Sequence, residues 1–300
     1  MGRGTMRRPG LVGRNRLTAY AFLLPNLLGF LVFTFLPIFG AFALCFFRWD
    51  FATPAVFVGL KNFLKLLHDE TFRISLWNTV YFTVAVVPLT ILCSLGLALL
   101  LNQGLKGIKI FRTIFFIPYI SSLVAVAAVW NMLYQPSMGP INGFLRSLGV
   151  QNPPGWIAST QWALPAVIIM SVWKQIGYYM VIYLAGLQAI PGQLYEAATV
   201  DGAGPWARFR HITLPLLTPS TFFVIMMLII NSFKVFDQIM IMTEGGPGRA
   251  TNVLVYYIYN QAFLYFKFGY ASAVAMVLFL LVMAITVFQF KYEEKWVHYV

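Results

Sequence analysis

The sequence predicts an all-α, polytopic membrane protein with about six transmembrane helices. Three observations carry that expectation. Hydrophobic residues make up 60% of the 300 and charged residues only 10%, whereas a soluble domain is roughly 25% charged. Six apolar stretches (17–47, 74–101, 113–133, 161–189, 214–236 and 269–290) reach the roughly 20 residues that a hydrocarbon core requires. Across all six, the only charged side chains are Lys174 and Lys234.

The first stretch follows Arg3, Arg7, Arg8, Arg14 and Arg16. A basic segment of this kind also opens a secretory signal, but a signal's apolar core is only about 7–15 residues. The longer run from 17 to 47 reads as a retained first span. Pro25 and Pro37 divide it, which predicts a kink or a broken helix, because an interior proline removes a backbone bond and clashes with the preceding turn.

Orientation follows from the loops. With the N-terminus in the cytoplasm, the inner segments 1–16, 102–112, 190–213 and 291–300 hold twelve Lys and Arg in 61 residues. The outer segments 48–73, 134–160 and 237–268 hold seven in 85. The denser side faces the cytoplasm, so both termini are placed inside. The organisation is a basic cytoplasmic N-terminus (1–16), one transmembrane domain (17–290) with a cytoplasmic loop at 190–215, and a cytoplasmic tail (291–300). The outer loops, rich in Trp, Tyr and Pro, are expected to lie on the membrane surface as short interfacial helices.

The net charge of +12 sits in short loops between apolar runs, so it sets topology and does not point to nucleic acid. Cys45 and Cys93 lie within apolar runs and read as small packing residues. His68, His211 and His298 form no cluster in the sequence, so neither a metal site nor a Ser/His/Asp enzyme is expected. No carboxylate lies inside the six stretches, which weighs against an ion-coupled stand-alone transporter or channel. No Gly-x-x-x-x-Gly-Lys-Ser/Thr loop occurs, so ATP chemistry would belong to another polypeptide. An intramembrane enzyme would need an embedded nucleophile–base pair, and none is visible.

The loop at 190–215 reads as helix, turn, helix. Pro191 opens the first short helix. Leu194, Ala197, Ala198 and Val200 are expected to form its apolar face. Asp201-Gly202 is a break signal, and Pro205 starts a second turn with Trp206 and Phe209 on one side. From the residues alone, this is either an amphipathic loop resting on the inner membrane face or a rigid knob that docks on a cytoplasmic partner.

Glu196-Ala197-Ala198, Gly202 and Ile212-x-Leu214-Pro215 together resemble the signature cytoplasmic loop of permease subunits in binding-protein-dependent ABC importers. Trp173-Lys174-Gln175 through Thr218-Pro219, Phe236-Asp237, the run Met242-Thr243-Glu244-Gly245-Gly246-Pro247 with Thr251, and Gly269-Tyr270-Ala271-Ser272-Ala273 are similar to its carbohydrate-uptake branch, that of the maltose and glycerol-3-phosphate transporters. The resemblance covers nearly the whole chain. It implies two permease subunits, expected to be a heterodimer, enclosing a path for a mono- or oligosaccharide, or for glycerol-3-phosphate or a related polyol phosphate. It implies two cytoplasmic ATPase subunits that hold the ATP and Mg, an extracytoplasmic solute-binding protein, and a bacterial or archaeal inner membrane. It makes Glu196, Ala197, Ala198, Asp201, Gly202 and Ala203 the ATPase-coupling residues.

Polar groups within a bilayer usually face the bundle interior. Lys174 stands near mid-membrane, either paired with helix carbonyls or a carboxylate, or in contact with solute. Trp173, Tyr178, Tyr179, Asn231 and Ser232 have the hydrogen-bonding and ring chemistry that sugars use, and equally that of helix–helix packing. Asn78 and Trp130 are further candidates. Glu244-Gly245-Gly246-Pro247 reads as an outer turn, either a binding-protein contact or only a loop.

Overall fold

The computed structural model describes residues 9–103 and 107–297. Arg3, Arg7, Arg8, Gly104-Leu105-Lys106 and His298 lie outside the described residues.

The first apolar stretch forms α1 (Pro9–Phe30), a π-helical turn (Leu31–Phe35) and α2 (Leu36–Leu44). The expected break at Pro25 and Pro37 is replaced by this wide turn. Phe35 and Leu36 keep helical dihedrals, and Pro37 sits in the first turn of α2, where its missing N–H is least costly. Thr18–Leu44 runs as one candidate span whose most apolar window buries none of its residues.

A two-stranded antiparallel turn, β1 (Phe47–Arg48) with β2 (Val56–Phe57), leads to the short helix α3 (Lys61–His68). Asn62 locks the two together by donating to the carbonyls of Cys45 and Phe47, at 2.8 and 2.9 Å. The second span is α4 (Glu70–Leu101). Asp69 caps it by accepting from the Phe72 amide at 3.1 Å. The other oxygen of the same carboxylate accepts 2.5 Å hydrogen bonds from the Tyr257 and Tyr270 hydroxyls, tying the start of α4 to α14 (Leu254–Tyr259) and to α15 (Phe268–Trp296).

The third stretch is not one straight span. α5 (Ile108–Ile120) and α6 (Leu123–Leu133) meet at 96° across extended residues Ser121 and Ser122. After α7 (Pro140–Ser147), the fourth span α8 (Ala163–Ala189) packs along α4. Phe82 and Val86 of α4 pack near Ala166, Val167 and Met170, while Ala98 and Leu101 pack near Leu184 and Leu187. Close approach of α5 and α8 depends on Gly177, where an added Cβ would strike the Phe115 carbonyl.

The loop helices α9 (Gly192–Val200), α10 (Pro205–Arg208) and α11 (Leu214–Leu216) precede α12 (Thr218–Phe233), and the short α13 (Asp237–Met242) follows it. Pro205–Leu216 and Thr218–Phe233 bend by 62°, so the fifth stretch is also broken, with Pro215 and Pro219 on either side of the joint. Among the described residues, four helices are long and apolar enough to cross a membrane, or up to six spans if each bent pair is one. The last helix continues past Phe290 to Trp296. Cys45 is buried, but Cys93 is exposed on the outside of α4 and is not a packing residue within this chain.

Candidate functional site

Two places bring the expected residues together. The first is the elbow between α8 and α12. Pro191 occupies the N-cap of α9, and Gly202 ends it at φ +77°. The Ala203 amide donates to the Ala198 carbonyl at 2.8 Å and the Gly202 amide to that of Thr199 at 3.1 Å. This pair of bonds satisfies the last carbonyls of the helix and requires a left-handed residue at 202, which glycine supplies at no steric cost. Pro205 then opens the next helix, and the Trp206 and Phe209 rings sit 5.5 Å apart.

The two arms are cross-braced. The Arg208 guanidinium donates to Thr199 Oγ1 at 3.0 Å, and the Tyr195 hydroxyl meets Thr213 Oγ1 at 2.9 Å. Sequence reading did not single out these four residues. The expected apolar face of α9 is turned mostly away from the bundle. Tyr195 packs inward with Ile212, Leu187 and Leu217, and Ala198 is half-buried. Leu194 and Ala197 are exposed, and Val200 is 88% exposed. The elbow therefore packs on its own bundle through Tyr195 and offers Leu194, Ala197, Val200 and Trp206 outward. Glu196 and Asp201 flank that apolar surface, exposed and without an ion-pair partner among the described residues.

The second place is the break between α5 and α6. The end of α5 leaves carbonyls without helical partners. Lys174, reaching across from α8, donates to the carbonyls of Pro118, Tyr119 and Ser121 at 2.8, 3.1 and 2.7 Å. An ammonium has three N–H donors, and all three are used. Around this joint lies a groove of about 490 Å³, lined by Ser121, Trp130 and Trp173 among apolar residues of α6. Trp130 meets Trp173 at 5.5 Å, and Tyr119 stacks on Tyr178 at 4.5 Å. Trp173 and Tyr119 are exposed on this single chain. Asn231 is exposed and shares a side-chain hydrogen bond with the buried Tyr179. Ser232 is buried at the end of α12, away from the groove. Tyr119 and Ser121 belong to this constellation although the sequence drew no attention to them. Pro118 followed by Ser121-Ser122 inside an apolar run was the available signal.

Asn78 and the outer turn are accounted for by packing. Asn78 donates to the carbonyls of Arg249 and Asn252, both at 3.0 Å. Thr251 Oγ1 donates to the Gly246 carbonyl at 2.8 Å, fastening the turn at 244–247.

A membrane bundle with two broken spans and a braced, externally apolar elbow is the build of a transport permease. The chain belongs to the binding-protein-dependent transport system inner membrane component family, which it matches over residues 87–297. It is 37% identical to the sn-glycerol-3-phosphate transport system permease protein UgpA of Agrobacterium fabrum, covering 95% of this chain and 97% of that one. It is 38% identical to the trehalose/maltose transport system permease protein MalF of Thermococcus litoralis, covering 93% and 94%. Among solved structures, a chain of a bacterial alginate ABC transporter in complex with an alginate pentasaccharide-bound periplasmic protein superposes with TM-score 0.83. Its identity is 25%, and the match covers 94% of this chain and 96% of that chain.

Proposed function

We propose that this chain is one of two permease subunits, in a heterodimer, that enclose the translocation path of an ATP-driven sugar importer in the plasma membrane of a bacterium or archaeon. An extracytoplasmic binding protein delivers the solute. Two cytoplasmic ATPase subunits bind the ATP and Mg, and this chain binds neither. Glu196, Ala197, Ala198, Asp201, Gly202 and Ala203 form the docking elbow, with Leu194, Val200 and Trp206 completing its contact surface.

The observation that carries the reading is the elbow, which is locked to its own bundle by Tyr195, Thr199, Arg208 and Thr213 yet apolar on the outside. A braced element transmits displacement from a partner to α8 and α12, so ATP-driven closure of the partner can bias one arrangement of the permease pair over another. The unburied first helix supports a second membrane subunit that covers it. The relatives named for glycerol-3-phosphate, trehalose/maltose and alginate support a polyhydroxylated solute. Trp173, Tyr178, Tyr119 and Trp130 supply ring faces for it and Asn231 an amide. Lys174 has no free donor, which favours a neutral sugar over a phosphate ester at this depth.

The test is cross-linking from Ala197→Cys in native membranes. A product containing a P-loop ATPase, with a yield that changes when ATP is added, is expected. A chain that cross-links only to itself and purifies without an ATPase overturns the reading.

A further inference from the structure

A concentration of cationic charge lies at the end of the bundle opposite the elbow. Arg48, Lys61, Lys65 and Lys267 line one pocket of about 400 Å³, with Asp50 and Tyr270 among its other walls. The four cations come from β1, α3 and the turn before α15. All are exposed, and none has an ion-pair partner among the described residues. Asp50 is engaged elsewhere, accepting from the Thr53 amide at 2.9 Å and the Thr53 hydroxyl at 2.7 Å. Ring faces hold two of the ammonium groups in place. Lys65 Nζ lies 4.7 Å from the Tyr270 ring centre and Lys267 Nζ 5.4 Å from that of Tyr265. Four cations against the single carboxylate of Asp50 leave the cavity with a surplus of positive charge that an entering anion would offset.

A second cavity adjoins the first at Asp50. It is an open apolar cleft of about 660 Å³ formed by Phe51, Ala52, Phe266 and Phe268. Phe51 and Phe266 are held at φ +69° and +54°, a region that a residue with a Cβ avoids, and the two residues are 71% and 56% exposed. Strained backbone at both positions coincides with aromatic surface turned outward. Arg48 follows closely on the first apolar helix, which ends at Leu44, and Lys267 directly precedes α15. Both cavities therefore stand where the spans meet water. A soluble anion would use the cationic pocket and leave the apolar cleft idle. An amphiphile uses both.

We infer that this paired site binds an anionic phospholipid, with the phosphodiester headgroup held by Arg48, Lys61, Lys65 and Lys267 and an acyl chain lying along Phe51, Phe266 and Phe268. The lipid bridges the end of the first span to the start of the last. The inference requires a membrane but not the transport reading, so the two fail separately.

The probe is a vesicle of equal parts phosphatidylcholine and phosphatidylglycerol. The intact transporter is reconstituted, re-extracted in mild detergent and read by native mass spectrometry. Wild type is expected to retain phosphatidylglycerol in preference to phosphatidylcholine. Lys61→Gln and Lys267→Gln are each expected to lower that retention about five-fold, while Lys291→Gln at the other end leaves it unchanged. Phe51→Ala with Phe266→Ala is expected to lower it too. All these side chains are exposed, so the variants fold, and the elution profile of the assembled complex verifies it. Equal retention by wild type and both lysine variants overturns the inference. So does displacement of the lipid by excess inorganic phosphate, which would mark a site for a soluble anion.

Discussion

Lys174 Nζ lies 2.7 Å from the carbonyl oxygen of Ser121, and this contact, made from the middle of α8, closes the open end of α5. A cation at membrane depth is usually costly. Here the cost is offset because the same broken backbone supplies three acceptors. Irregular backbone at membrane depth is tolerated only where protein covers it or water reaches it, and Lys174 provides the covering.

Lys174→Met is therefore expected to destabilise the chain by about 2–3 kcal/mol, the scale of charged hydrogen bonds lost from acceptors left unpaired. Lys174→Arg should recover part of the loss. Unfolding in detergent measures both. Uptake of neutral and anionic solutes should fall by the same factor in Lys174→Met, and a selective loss of anionic solute would show that the ammonium meets the cargo.

Gly177→Ala and Gly96→Ala should act in opposite directions. A methyl at 177 meets the backbone of Phe115, so α5 and α8 must separate, with a loss of about 1–3 kcal/mol. A methyl at 96 meets nothing within 4 Å inside α4, and should stabilise by about 0.5–1 kcal/mol. Paired thermal denaturation curves decide it.

Asp69 gives the outer end an acid dependence. Burial pushes its carboxyl up, but the Tyr257 and Tyr270 hydroxyls and the amides of Phe72 and Thr71 outweigh burial and hold it below 3.8. A depressed value means that the stabilisation is complete above the unfolded carboxyl value and disappears as pH falls through the folded one. Asp69→Asn is expected to flatten the stability profile below about pH 5. An unchanged acid profile would show that the carboxylate contributes nothing there.

Gly202→Val should weaken the elbow by roughly 1–2 kcal/mol, since valine resists the left-handed turn that closes α9. Membrane levels should hold while uptake falls and ATP hydrolysis loses its response to solute. Normal uptake would mean that the turn is not the coupling point.

Trp173→Leu and Tyr178→Leu should each raise the solute KM by about five- to ten-fold, the scale of an aromatic contact, with the subunits still assembled. A change in assembly without a change in KM would place these rings at an interface only.

The spans were legible because hydropathy reports what lipid solvates, and composition varies slowly along an apolar run. The joint at Ser121-Ser122 was not, since two serines barely alter the average over 113–133, and what holds the joint comes from Lys174, more than fifty residues away. The two readings of Lys174, carbonyl partner or solute contact, could be written down from sequence but not separated there. In the elbow, local rules found Pro191, Gly202 and Pro205. They grouped the apolar residues of α9 but did not say which side of this two-turn helix turns inward, because that is decided by the core cluster of Leu187 and Leu217 against which Tyr195 and Ile212 pack.

The most apolar window of Thr18–Leu44 buries nothing against the rest of this subunit. Large apolar residues there can exchange for one another without disturbing the chain's own core, unlike Gly177 or Asp69. The selective pressure on that helix is thus imposed by whatever it meets after insertion, and its pace of divergence is set by the neighbour and not by the fold that carries it.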